Sequence, residues 1–133
     1  MKLKTEFDFD SAHRLVGHKG LCSNLHGHMW HVELEIEGGE LDEIGILWDF
    51  GDRKLLEKMF DHKTILKYCP ENADIGNAIE RICGKDSVVW LENNPTAEHL
   101  CTFILNHLKR ITPTLKFKIK IYESPKSYAE GEL

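Results

Sequence analysis

The sequence predicts an α+β fold: an antiparallel sheet with two main helices packed on one of its faces. Two observations carry this. Three long segments alternate apolar and polar residues with a period of two, the pattern of a half-buried strand. Two others repeat apolar residues every three or four positions, the pattern of a helix that buries one side.

The first strand covers 3–13. Leu3, Thr5, Phe7, Phe9, Ser11 and His13 share one face, with Lys4, Glu6, Asp8 and Asp10 on the other. Gly17, Gly20 and Asn24 mark 14–25 as a loop. A second strand turns Trp30, Val32, Leu34 and Ile36 inward and His31, Glu33, Glu35 and Glu37 outward, until Gly38-Gly39 stops it. Gly45 to Trp48 reads as a short strand, and Asp49-Phe50 as the cap of a helix over 50–60 with Leu55, Leu56, Met59 and Phe60 inward. Residues 63–94 are the least regular: a short amphipathic segment (Ile75, Ala78, Ile79, Ile82) ends at Gly84, and an apolar run from Val88 to Leu91 follows. Thr96 caps a second clear helix, striped by Leu100, Phe103, Ile104, Leu108 and Ile111. The last long strand sets Phe117, Ile119 and Ile121 against Lys116, Lys118 and Lys120. Glu123 continues its apolar parity, and a short strand is placed near Tyr128. The glutamate and lysine rows put opposed charges on neighbouring strands, worth roughly 0.2–1 kcal/mol per pair. That face is either solvated or lines the lumen of an oligomeric barrel.

At 133 residues the chain reads as one domain, 1–133, large enough to bury a core without disulfides. The net charge of −5 argues against a dedicated nucleic-acid binder. No apolar run reaches membrane-spanning length and Met1 to Glu6 carry no signal-peptide core, so cytoplasmic residence is expected. Of the cysteines, Cys83 and Cys101 sit in apolar helical patterns and are expected buried and inert. Cys69 precedes Pro70 without a clear role. Cys22 alone stands just before a His-x-His pair.

The chemistry gathers at Cys22-Ser23-Asn24-Leu25-His26-Gly27-His28. Positions i and i+2 of a strand point the same way, so His26 and His28 converge, the natural half of a zinc site. A strand histidine on its own is usually a satisfied core residue. His13 shares the apolar face with this pair, however, and a metal would satisfy three buried imidazoles at once. His31, His99 and His107 lack such convergence.

These residues resemble a known family. Ser11-Ala12-His13-Arg14-Leu15, Cys22-x-x-x-His26-Gly27-His28, Gly45-x-x-x-Asp49-Phe50, Asp61-His62, Pro95-Thr96-x-Glu98 and Tyr122-Glu123 are similar, in order, to the motifs of the 6-pyruvoyltetrahydropterin synthase / 6-carboxytetrahydropterin synthase family. The resemblance implies the tunnelling fold, with three subunits closing a barrel and two trimers forming a homohexamer. It implies zinc on His13, His26 and His28, a catalytic thiol at Cys22, proton transfer by Asp61 and His62, and a pterin ring anchored by Glu123. Thr96 and Glu98 would line the pterin pocket. A gap of three residues between thiol and His-Gly-His resembles the queuosine-pathway enzymes; animal biopterin enzymes have two more, and hydroxymethylpterin-forming members have Glu at the thiol position. The implied reaction turns 7,8-dihydroneopterin triphosphate into 6-carboxy-5,6,7,8-tetrahydropterin, acetaldehyde and triphosphate. Arg14, His18 and Lys19 lie near enough in sequence to meet the triphosphate. The chain departs from many relatives after Asp61-His62, where Lys63 to Lys67 follow and 67–94 resembles an insertion.

Three alternatives stand beside this reading. They are the biopterin-type 6-pyruvoyltetrahydropterin synthase, a zinc hydrolase, and a non-catalytic zinc module with Cys22 as fourth ligand.

Overall fold

The structure, a computed structural model, describes residues 1–133. Six strands form one sheet: β1 (Lys2–His13), β2 (His26–Glu37), β3 (Lys63–Lys67), β4 (Val88–Leu91), β5 (Lys116–Ser124) and β6 (Ser127–Glu132). The helices are α1 (Arg53–Phe60), α2 (Pro70–Cys83) and α3 (Ala97–Ile111). The sheet order is β4-β3-β1-β2-β5-β6. No helix is long and apolar enough to cross a membrane.

The long alternating segments form the centre of the sheet as expected. β1 pairs antiparallel with β2 from Lys2↔Glu37 to His13↔His26, and β2 pairs with β5 from His31↔Tyr122 to Glu37↔Lys116. Their apolar faces meet α1 and α3 in one core that includes Phe7, Phe9, Trp30, Val32, Leu34, Ile36, Phe117, Ile119 and Ile121. β6, foreseen only as a short strand near Tyr128, pairs antiparallel with β5.

The remainder departs from the expectation of a purely antiparallel sheet. β3 runs parallel to β1 through Ser11–His13, and β4 runs parallel to β3. Parallel neighbours need a long crossover, and α2 supplies it. Ile65 faces the main core, whereas Leu66, paired with Trp90, faces away from it. α2 lies on that second face, where its Gly76 abuts the Trp90 ring and Asn72 donates from Nδ2 to the Lys67 carbonyl at 2.8 Å. The helices are therefore not all on one side: α2 covers the back of β3 and β4.

Smaller corrections have local causes. Gly45 to Trp48 form no strand, because the Asp42 carboxylate accepts from the N–H groups of Ile44 (3.0 Å) and Ile46 (2.8 Å) and closes a turn. Asp49 caps a short 3-10 turn, Phe50–Asp52, that leads into α1. Leu56 and Phe60 are buried, but Leu55 is 63% exposed. On α3 the buried stripe is Ala97, Leu100, Cys101, Ile104, Leu105 and Leu108, while Phe103 and Ile111 lie at the margin facing solvent. Cys101 is buried as expected; Cys83, at the last turn of α2, is exposed.

Candidate metal centre and active site

β1, β3 and β4 point the same way, so their carboxyl ends share one edge of the sheet. In sheets with parallel strands the loops beyond those ends are the usual place for ligands. Here they comprise the Cys22 loop after β1, the Tyr68–Pro70 connection after β3, and Glu92–Thr96 after β4.

His13 ends β1, and His26 and His28 begin β2, on matching parity. Their ligand atoms lie within 4.8 Å of one another. Hydrogen bonds fix which nitrogens face the centre. Nδ1 of His13 lies 2.7 Å from the Pro95 carbonyl, and Nδ1 of His26 lies 2.7 Å from the Asn24 carbonyl. A carbonyl only accepts, so each Nδ1 carries the proton and each Nε2 of the neutral ring is a lone pair. Those two Nε2 atoms stand 3.0 Å apart and cannot bond each other. Nε2 of His28 is buried with no hydrogen-bond partner.

A cation placed among the three relieves all of this. Burial pushes the imidazoles of His13 and His28 below their usual range, and His26 adds to the effect, so protons are poorly suited to the task. Two nitrogens about 2.1 Å from a tetrahedral metal of zinc's size stand roughly 3.4 Å apart, near the 3.0 Å between the His13 and His26 nitrogens, and the group of three could hold such an ion. Pro95 and Asn24 act as outer partners that orient the rings. Trp30, fully buried, closes the base, with its ring centroid 5.1 Å from His13 and 5.3 Å from His28.

Glu123 reaches the cluster, its Oε1 3.6 Å from Nε2 of His28. It sits where the β5–β6 register shifts between Tyr122 and Ser124, a bulge of the kind that re-aims a side chain. Cys22 lies in a 3-10 turn, Leu21–Ser23, and its thiol is outside the metal-ligating group.

Asp61 and His62 cap α1. Asp61 accepts from the Asp10 N–H at 2.9 Å, and the His62 N–H donates to the Asp10 carbonyl at 2.7 Å, which pins the pair to β1. His62 Nδ1 stands 2.9 Å from Asp61 Oδ2. The Asp10 N–H, and then His62, hold the Asp61 carboxyl below the usual carboxylate range; Asp61 in turn raises the His62 imidazole. His62 and His28 line the same open groove, with Met29 and Lys63 beside them.

Thr96 is the N-cap of α3, accepting from the His99 N–H at 3.2 Å. Glu98 follows in the exposed first turn. Neither is drawn into the histidine cluster. Arg14, expected near the triphosphate, donates from Nε to the Ser23 carbonyl (3.0 Å) and from Nη1 to that of Glu71 (3.3 Å). His18 accepts from the Gly20 N–H.

Sequence reasoning missed the outer partners Pro95 and Asn24. Both act through backbone carbonyls, which carry no residue signature.

A family model described as 6-pyruvoyl tetrahydropterin synthase matches residues 2–132. A 6-carboxy-5,6,7,8-tetrahydropterin synthase of Rickettsia bellii is 35% identical over 139 residues, spanning 98% of this chain and 99% of its own. One of Haemophilus influenzae is 34% identical over 139 residues, spanning 97% and 96%. Among solved structures, an uncharacterized protein of Wolinella succinogenes aligns with a TM-score of 0.72 at 25% identity over 98% of this chain and 97% of its own. A Plasmodium vivax 6-pyruvoyltetrahydropterin synthase aligns with a TM-score of 0.70 at 22% identity, over 100% and 97%, a likeness of fold.

Proposed function

The chain belongs to the 6-pyruvoyl tetrahydropterin synthase family and has its tunnelling fold, and from that premise we propose that it is a zinc-dependent 6-carboxy-5,6,7,8-tetrahydropterin synthase. Its substrate is 7,8-dihydroneopterin triphosphate, which with water gives the 6-carboxy product, acetaldehyde and triphosphate, a step towards queuosine. The names and full-length match of the curated relatives support this choice within the family. The observation that carries it is the arrangement at the site: three imidazole nitrogens converge, while Cys22, three residues before His26-Gly27-His28, stays out of the cluster.

His13, His26 and His28 would hold the zinc. When bound, zinc supplies a Lewis acid that makes the hydroxyl and C–H protons beside it easier to remove. The chain's own groups do the rest. Cys22, free of the metal, takes a proton as thiolate. His62, whose imidazolium the Asp61 carboxylate favours, delivers or relays one. Glu123 accepts hydrogen bonds from the pterin N–H groups and fixes the ring against the metal end. Thr96 and Glu98 shape the rim of the pterin pocket. The active assembly is a homohexamer of two barrel-forming trimers, and the protein works in the cytoplasm on a small molecule.

The test is incubation of the zinc-loaded protein with 7,8-dihydroneopterin triphosphate, followed by mass analysis of the pterin and an acetaldehyde assay. Carboxypterin with equimolar acetaldehyde supports the assignment. A pyruvoyl product without acetaldehyde would replace it with the biopterin-type reaction, and no turnover at full zinc occupancy would sink both.

A further inference from the structure

Residues 14–25 leave the end of β1 and return to β2 with Cys22 in between. The loop's own backbone bonds are local: Leu15 N–H to the Cys22 carbonyl at 2.8 Å, His18 N–H to that of Leu15 at 3.3 Å, and Asn24 N–H to that of Leu21 at 2.9 Å. They shape the loop without fixing where it sits relative to the histidines.

Three side-chain contacts fix it: Arg14 Nη1 donates to the Glu71 carbonyl at 3.3 Å, Nδ1 of His26 stands 2.7 Å from the Asn24 carbonyl, and Asn94 reaches in from the connection between β4 and α3. The Val16 N–H donates to Asn94 Oδ1 at 2.9 Å, and Asn94 Nδ2 donates to the Val16 carbonyl at 2.8 Å. A planar amide used in both directions copies the pairing of two strand peptides, and only Asn or Gln carries both groups. Asn94 is itself held firmly. Its carbonyl accepts from the Thr96 N–H at 2.8 Å and stands 2.8 Å from Nδ1 of His99 on the first turn of α3. The next carbonyl, Pro95, orients His13. Two consecutive residues therefore grip the thiol loop through a side chain and a metal-ligating histidine through the main chain.

We propose that Asn94 is a positioning residue that sets the place of Cys22 relative to the three histidines. It touches no reacting atom; it acts through Val16 and the loop. The proposal rests on the reading of Cys22 as the base, and its test includes a measurement that does not need the reaction.

The experiment compares zinc-loaded wild type, Asn94→Ala, Asn94→Asp and, as a neighbouring exposed control, Asn93→Ala. Zinc content and cooperative unfolding are measured for each. For Asn94→Ala, kcat falls roughly 10–100-fold, the scale of a misplaced catalytic group, while KM moves little. Without substrate, the rate of Cys22 alkylation by iodoacetamide, resolved by peptide mass spectrometry, changes several-fold at unchanged zinc content. Asn94→Asp keeps only the acceptor for the Val16 N–H and falls between the two; Asn93→Ala matches wild type. The proposal is overturned if Asn94→Ala keeps wild-type kcat and Cys22 alkylation, or if its loss of kcat tracks loss of zinc or of folded protein. If wild type gives no turnover but Asn94→Ala still alters Cys22 alkylation at full zinc content, the clamp stands and the assigned reaction falls.

Discussion

His62 is the one non-glycine residue with positive φ, at 57°, and it follows α1 where a helix most often ends on glycine. Glycine would hold this left-handed backbone with less strain than histidine, so the proposed proton-transfer role gives a reason for the imidazole here. His62→Gly should therefore unfold at the same temperature as wild type or higher while losing most activity, which thermal melts and kcat will show together. Asp61 raises the His62 pKa, so the imidazolium persists to higher pH. If the charged ring is the acid, activity is held on the acidic side and falls as pH rises through that pKa. Asp61→Asn keeps an acceptor for the Asp10 N–H but removes the charge, so the alkaline limb of the kcat profile should move to lower pH. Cys22→Ala should bind zinc as wild type does and lose at least about 100-fold in kcat, by analogy with the loss of a positioned acid or base; full retained activity would point to hydrolase chemistry. Cys101 lies deep under β5 and β6, where burial pushes its thiol up to about 11. It should resist alkylation at pH 8 until the protein unfolds. The histidine cluster was legible because strand parity is a rule of backbone geometry: once His13, His26 and His28 shared a face, their meeting followed. The carbonyls of Pro95 and Asn24 were not, because every residue has one.

Among the elements, β1, β2, β5 and α3 were readable because each buries one face and exposes the other. β3 and β4 were not, and the reason is physical. Ile65 and Leu66 are adjacent and both fully buried, one against the main core and the other on the α2 side, so no alternation is written there. α2 hid for a different reason: its buried positions are Asn72 and Gly76, and Ile82 is 77% exposed. The amphipathic pattern thus marked a helix: Ile75, Ala78 and Ile79 are half-buried beside Asn72 and Gly76, and only Ile82 turns to solvent. Gly76 is needed for close approach, since a Cβ there would come 2.0 Å from the Trp90 ring. That ring cannot easily swing aside, because Trp90 Nε1 donates to Glu80 at 2.7 Å. Gly76→Ala should cost about 1–3 kcal/mol in chemical denaturation, as overpacking does, with zinc binding intact.

For the molecule as a whole, the proposed metal should support the fold without being required for it. The core beneath the sheet runs from Leu115 at one end to Trp30 under the histidines, and most of it never approaches the metal. Chelation should lower the melting temperature without abolishing cooperative unfolding, and zinc at 100 times its Kd should restore about 2.7 kcal/mol. A protein that unfolds outright on chelation would instead be a zinc-stabilised module. The sheet also leaves backbone unpaired: β3 covers β1 only through Ser11–His13, and β6 ends the sheet on the far side. Bare strand edges invite pairing, in keeping with the proposed hexamer. Sedimentation at the mass of six chains is the expected result, and the monomer's own mass would remove that part of the assignment.

The parallel run of β3 and β4 has a consequence for how this scaffold can change. The chain departs at Lys67 and re-enters at Val88; register with β1 places β3, and register with β3 places β4. What lies between is a cassette. A shorter or longer crossover could be spliced in, and Asn94 and Pro95 would still arrive beside Val16 and His13. Shape at the rim could then diversify while the spacing of thiol and histidines is inherited unchanged.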